Sequence, residues 1–141
     1  MTEILDANKP LFAYGTLMFP AIMKSVIGRL PDFRSAAIRG YRRLVVAREA
    51  FPGLIAEHES NDWVEGLIYF EITPREWERL LAFEDEFYNL ERVDVQCCGR
   101  NIEALAFIVP PARRSLLSEK SWDPDEFRES LLELWATKAH S

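Results

Sequence analysis

One carboxylate stands where the chain's own periodicity asks for a hydrocarbon. Trp77, Leu80 and Leu81 occupy positions i, i+3 and i+4 of a helical pattern, and the next member of that stripe, i+7, is Glu84. A carboxylate drawn into an apolar face loses hydration and its pKa rises, so it can take and return a proton near neutral pH. The alternative is that the helix stops first and Glu84 joins Asp85 and Glu86 in an acidic, solvated turn. A second stretch holds a different chemistry. Leu11-Phe12-Ala13-Tyr14 runs apolar straight into Gly15-Thr16-Leu17, the pattern of a buried strand breaking into a loop. Gly15 would give that break a positive φ and let another group approach closely. Successive N–H groups in such a turn form an anion-binding nest, and an ordinary strand-to-helix turn is the plain alternative.

No familiar nucleophile or metal motif competes with these residues. The chain has no Gly-x-Ser-x-Gly, no phosphate-binding Gly-Lys loop, no Gly-x-Gly-x-x-Gly and no zinc spacing. Its two histidines, His58 and His140, are isolated, and its two cysteines, Cys97 and Cys98, are adjacent. Neighbours on a strand point to opposite faces, which argues against a disulfide between them. Unpaired cysteines fit a reducing, cytoplasmic setting. The net charge of −6 and the sequence pI near 5.0 exclude a basic nucleic-acid-binding face. No apolar run reaches the roughly 18 residues of a membrane span, and the N-terminus lacks a basic-then-apolar leader. A single domain over residues 1–141 is expected, since 48% of the 141 residues are hydrophobic, enough for one core.

The elements that must position Glu84 and the Tyr14–Leu17 loop can be read in order. A first strand covers 11–14, and a helix opens at Pro20 with Ile22, Met23, Val26 and Ile27 on one face and Gly28 as its stop. Residues 36–38 and 44–47 read as strands, Phe51-Pro52-Gly53 as a turn, and 54–56 and 63–70 as strands. Gly66, inside the last of these, marks a bulge or a close backbone approach. Thr73-Pro74-Arg75-Glu76 is a capping box with Pro at the first helical position, and it starts the helix that carries Glu84. Strands over 92–97 and 102–109 flank a hairpin turn at Gly99-Arg100, and residues 113–121 read as a polar connector. A second cap at Asp123 starts a last helix over 124–138 with Phe127, Leu131, Leu134 and Trp135 inward. Consecutive strands in two places make the class α+β, a mixed, barrel-like β-sheet with flanking helices.

Two separated pieces then resemble one family. Phe12-Ala13-Tyr14-Gly15-Thr16-Leu17 resembles the Tyr-Gly-Ser/Thr-Leu loop of the gamma-glutamylcyclotransferase-like proteins, and Leu80-Leu81-Ala82-Phe83-Glu84-Asp85, with Tyr88, resembles their Leu-Asp-x-Phe-Glu stretch. Phe51-Pro52-Gly53-Leu54 and 64–69 fit between them, so the resemblance spans about residues 11–109. It implies a small barrel-like fold and a cyclotransferase that converts a gamma-glutamyl amine or amino acid to 5-oxoproline and a free amine. It also implies Glu84 as general acid/base and Tyr14, Gly15, Thr16 and Leu17 as the substrate-holding loop. The substrate's own α-amine is the nucleophile, so no metal or cofactor is expected, and the only partner implied is the small-molecule substrate. Three positions depart from the pattern. Leu81 stands where an Asp is usual, Leu90 where an Arg often follows the tyrosine, and Phe107 where a Tyr is common. A non-catalytic binding module of the same fold is the alternative.

Overall fold

The computed structural model describes residues 8–129. Eight strands, β1 (Leu11–Ala13), β2 (Phe33–Arg39), β3 (Tyr41–Val46), β4 (Pro52–Ala56), β5 (Trp63–Tyr69), β6 (Asn89–Cys97), β7 (Arg100–Ile108) and β8 (Leu117–Ser121), form one mixed sheet. Five of them close on themselves in the order β1-β5-β2-β6-β7, the ring being completed by a parallel contact of Leu11 with Leu105. The other three, β4-β3-β8, extend the sheet from the far edge of β7. The expected α+β, barrel-like architecture is therefore present.

Closure has a visible cause. Burial alternates in β6, where Val93, Val95 and Cys97 are buried and the residues between them exposed, whereas β1 and residues 104–108 of β7 are buried on both faces. The inward set, with Phe12, Ile38, Leu54, Val64 and Ile68, fills one core. The remaining problem is the crowded passage of β1 across β5. A side chain at Gly66 would run into the Ala13 carbonyl and the Phe12 ring, so only glycine fits there.

Two helices pack on the outside of the barrel wall, against Leu11 and Ala13 of β1, Tyr69 of β5 and Leu105 and Phe107 of β7. Helix α1 (Pro20–Ile27) buries Ile22, Met23 and Ile27 and ends at Gly28 with φ 89°. Helix α2 (Pro74–Phe83) starts with the expected reciprocal cap, Thr73 accepting from the Glu76 N–H and Glu76 accepting from the Thr73 N–H. Arg29 then clamps that same Glu76 through Nε and Nη2, at 2.5 and 2.7 Å, so the second helix is tied to the end of the first. Trp77 and Leu80 are fully buried beneath it and Leu81 is half-buried.

Several expectations are corrected. The stretch 113–121 is not a connector. A 3-10 turn, Pro111–Leu116, leads into β8, which pairs with β3. The polar residues hide this strand because it lies at the sheet's edge with only Leu117 buried. Pro52 and Gly53 are already in β4, Pro52 as its first residue, and the turn falls earlier, at 47–51. In the β6–β7 hairpin the turn residues are Cys98 and Gly99, with φ 58° and 79°. That left-handed bend takes Cys98 off the strand's alternation and brings its Sγ within 3.1 Å of Cys97 Sγ; the two remain free thiols, one buried and one exposed. The last helix is seen over 124–129, with Phe127 packed inward. The expectations for Leu131, Leu134 and Trp135 lie outside the described residues.

Candidate functional site

Tyr14, Gly15, Thr16 and Leu17 follow β1 where it leaves the sheet, and residues Thr16–Met18 wind into one 3-10 turn before α1. The first N–H groups of such a turn have no acceptor within it. Gly15 does not take the positive φ expected of it; its φ is −128°. Its need for glycine is spatial, because a Cβ there would sit 2.9 Å from Pro52 Cγ. Leu17 is buried, and its carbonyl accepts from the Tyr69 hydroxyl at 2.7 Å, which pins the turn to β5.

Glu84 is the C-cap of α2 rather than its last helical residue. Its N–H still closes the final turn on the Leu80 carbonyl, but its backbone is extended, with ψ 147°. The side chain therefore leaves the stripe of Trp77 and Leu80 and enters a cavity of about 310 Å³ beside that stripe. This volume is within the range of small-molecule sites. Residues Tyr14–Leu17 line the same cavity, with Pro52, Phe83, Tyr88, Phe107 and Phe127. The structure thus brings all five sequence-predicted site residues to one place.

Burial, and after it the charge of Asp85, pushes the Glu84 carboxyl from 4.5 up to about 7. Asp85 and Glu86, the alternative acids, are exposed. Two phenols face the carboxylate. Tyr14 Oη donates to the Phe107 carbonyl at 2.6 Å, and Tyr88 Oη donates to the Pro52 carbonyl at 2.6 Å. Burial first, then the neighbouring Tyr88 and Glu84, holds the Tyr14 phenol far above its ordinary value; burial and Glu84 do the same for Tyr88. Both are neutral donors whose protons are committed to main-chain carbonyls. They fix the cavity's walls, joining β1 to β7 and the start of β6 to β4. The departure at Phe107 leaves this intact, since Tyr14 uses its carbonyl and not its ring.

In the sequence Tyr88 belongs only to a family motif, and Phe51 and Pro52 to a turn signal and a second family match; their place in the cavity depends on β4 running beside β7. No local signal marks that pairing, which rests on one parallel contact, Leu54 with Ile108. Among the described residues no three His, Cys, Asp or Glu side chains converge where a metal ion would sit. No helix in them is long and apolar enough to cross a membrane.

Comparison with known proteins gives consistent matches. The family described as gamma-glutamyl cyclotransferase, AIG2-like, matches residues 11–124. AIG2-like protein D of Arabidopsis thaliana is 28% identical over 125 residues, covering 89% of this chain and 77% of the relative. Among solved structures, an Arabidopsis thaliana protein superposes with a TM-score of 0.70 at 17% identity, covering 99% of this chain and 84% of its own. A Mus musculus AIG2-like protein gives 0.60 at 24% identity, over 84% and 92% of the two chains. A yeast gamma-glutamyl cyclotransferase specific to glutathione gives 0.61 at 14% identity, over 88% and 86%.

Proposed function

The chain belongs to the AIG2-like gamma-glutamyl cyclotransferase family, and we propose that it turns a gamma-glutamyl amine or amino acid into 5-oxoproline with release of the amine. The observation that carries this reading is Glu84, an acid at the head of a cavity it shares with the Tyr14–Leu17 loop, with its carboxyl raised to about 7. Such a group is half ionised near neutral pH, so it can serve first as base and then as acid.

The reaction needs little else. The substrate's α-carboxylate sits on the free N–H groups of the loop, and the chain folds so that its α-nitrogen reaches its own γ-carbonyl carbon. Glu84 takes a proton from the α-ammonium; the freed nitrogen attacks and a tetrahedral centre forms. When that centre collapses, the bond to the amine breaks, Glu84 returns its proton to the leaving nitrogen, and the second proton of the ring nitrogen passes to the released amine, which departs as an ammonium. Five-membered ring closure is intramolecular, so holding the reacting atoms together supplies much of the rate. The free thiols Cys97 and Cys98 are compatible with the reducing cytoplasm, where this proposal places the protein.

The test is incubation of the purified protein with a panel of gamma-glutamyl amines and amino acids, with 5-oxoproline detected by mass spectrometry. Turnover of any member above a no-enzyme control supports the reading. Binding of 5-oxoproline with no turnover of any member would make the protein a binding module.

A further inference from the structure

Arg43, on β3, is a cation in an unusual setting. It is half-buried, and burial holds its guanidinium below the ordinary arginine value. Glu65 and Asp123 are near enough to offset part of the cost, yet among the described residues no carboxylate forms an ion pair with it. A buried charge without a counter-charge is expensive, and here the compensation comes from main-chain dipoles and a ring. Nη1 donates to the Tyr14 carbonyl at 3.0 Å and to the Glu65 carbonyl at 2.9 Å, and reaches Met18 Sδ at 3.8 Å. The guanidinium carbon lies 5.2 Å from the centre of the Trp122 ring, within the range of a cation–π contact.

We propose that Arg43 is a positioning residue for the cavity, locking the substrate-holding loop and the aromatic wall opposite it into one geometry. Arg43 itself does not line the cavity. It acts on the loop through the Tyr14–Gly15 peptide. That unit is planar and trans, so pinning its carbonyl on the arginine side turns the Gly15 N–H the opposite way. It acts on the wall through Trp122. The indole Nε1 donates to the Ala50 carbonyl at 2.8 Å, and the Trp122 N–H bonds back to the Arg43 carbonyl at 3.3 Å. The Trp122 ring packs on Phe127 at 5.3 Å, and Phe127 on Phe19 at 5.5 Å. Ala50 and Phe127 both line the cavity, so one guanidinium holds the loop on one side and two wall residues on the other.

The proposal relies on the preceding reading only for the ligand, a compound carrying the α-carboxylate of a gamma-glutamyl group. The experiment compares wild type, Arg43→Met and Arg43→Lys, with Val95→Ala as a core truncation in β6 away from the cavity. Loss of a charge-assisted hydrogen bond corresponds to roughly tenfold or more in an equilibrium. Arg43→Met should therefore weaken 5-oxoproline binding and raise KM by about that factor, and Arg43→Lys should recover part of it. The acid limb of kcat/KM should stay near pH 7, because burial and Asp85 set the Glu84 titration. Hydrogen exchange should quicken about tenfold at the Met18 and Phe19 amides, whose bonds to the Gly15 and Thr16 carbonyls close the loop's turn, and stay unchanged in the β6–β7 hairpin. Val95→Ala should lose thermal stability with no change in affinity. A merely structural role predicts the same behaviour for Arg43→Met, and that result overturns the proposal, as does unchanged loop exchange. If wild type binds no 5-oxoproline and turns over no gamma-glutamyl compound, the cyclotransferase reading fails by itself; the exchange comparison still decides the role of Arg43.

Discussion

Replacing Glu84 with Gln separates its two consequences, one for turnover and one for stability. The side chain keeps its shape but can no longer carry a proton between nitrogens, so turnover should fall by roughly 100-fold or more, the scale of general acid–base catalysis. Stability should move the other way. Folding raises the carboxyl from 4.5 to about 7, so between those values the native state holds a proton that the unfolded state has released. Native stability from this group is therefore full below pH 4.5, falls as pH rises through the window, and stays low above it. At 1.36 kcal/mol per pH unit the gap comes to about 3 kcal/mol. Gln escapes this cost but brings an amide whose donors need partners, so the gain at about pH 8 should be about 1–3 kcal/mol, shrinking to nothing at about pH 4. Urea denaturation at the two pH values measures it. In wild type the acid limb of kcat/KM should fall near pH 7, and that of kcat lower, because a bound ammonium favours the carboxylate. Equal destabilisation of Glu84→Gln at both pH values, or wild-type turnover, would refute the reasoning.

Gly15→Val places its Cβ against Pro52 on the cavity wall and should abolish 5-oxoproline binding in calorimetry, whereas Thr16→Ala, with the backbone donors intact, should bind nearly as wild type. Leu80→Ala removes a fully buried side chain under the Glu84 turn and should cost about 2–5 kcal/mol in urea denaturation. Iodoacetamide under native conditions should alkylate exposed Cys98 well before buried Cys97, as peptide mass mapping would show; equal rates would contradict the hairpin geometry.

What the sequence determined by itself was what rests on near neighbours. The Thr73–Glu76 cap, the Gly28 stop and the alternation of Val93, Val95 and Cys97 are set within a few residues, so pattern alone locates them. The Glu84 stripe belongs with these in part. The period pointed to the carboxylate that lines the cavity, but its side chain gets there because the helix ends and the backbone turns extended. The rest was decided by partners far along the chain. Gly15 is glycine because of Pro52, Gly66 because of β1, and β8 is a strand because β3 offers it an edge. Tyr14 and Phe107 are 93 residues apart, and Arg43 and Tyr14 are 29 apart, yet their bonds shape the site. Such contacts leave no periodic trace in either segment. A hydroxyl or a guanidinium has the same sequence signature in water as against a buried carbonyl, and only closure of the barrel supplies the acceptor.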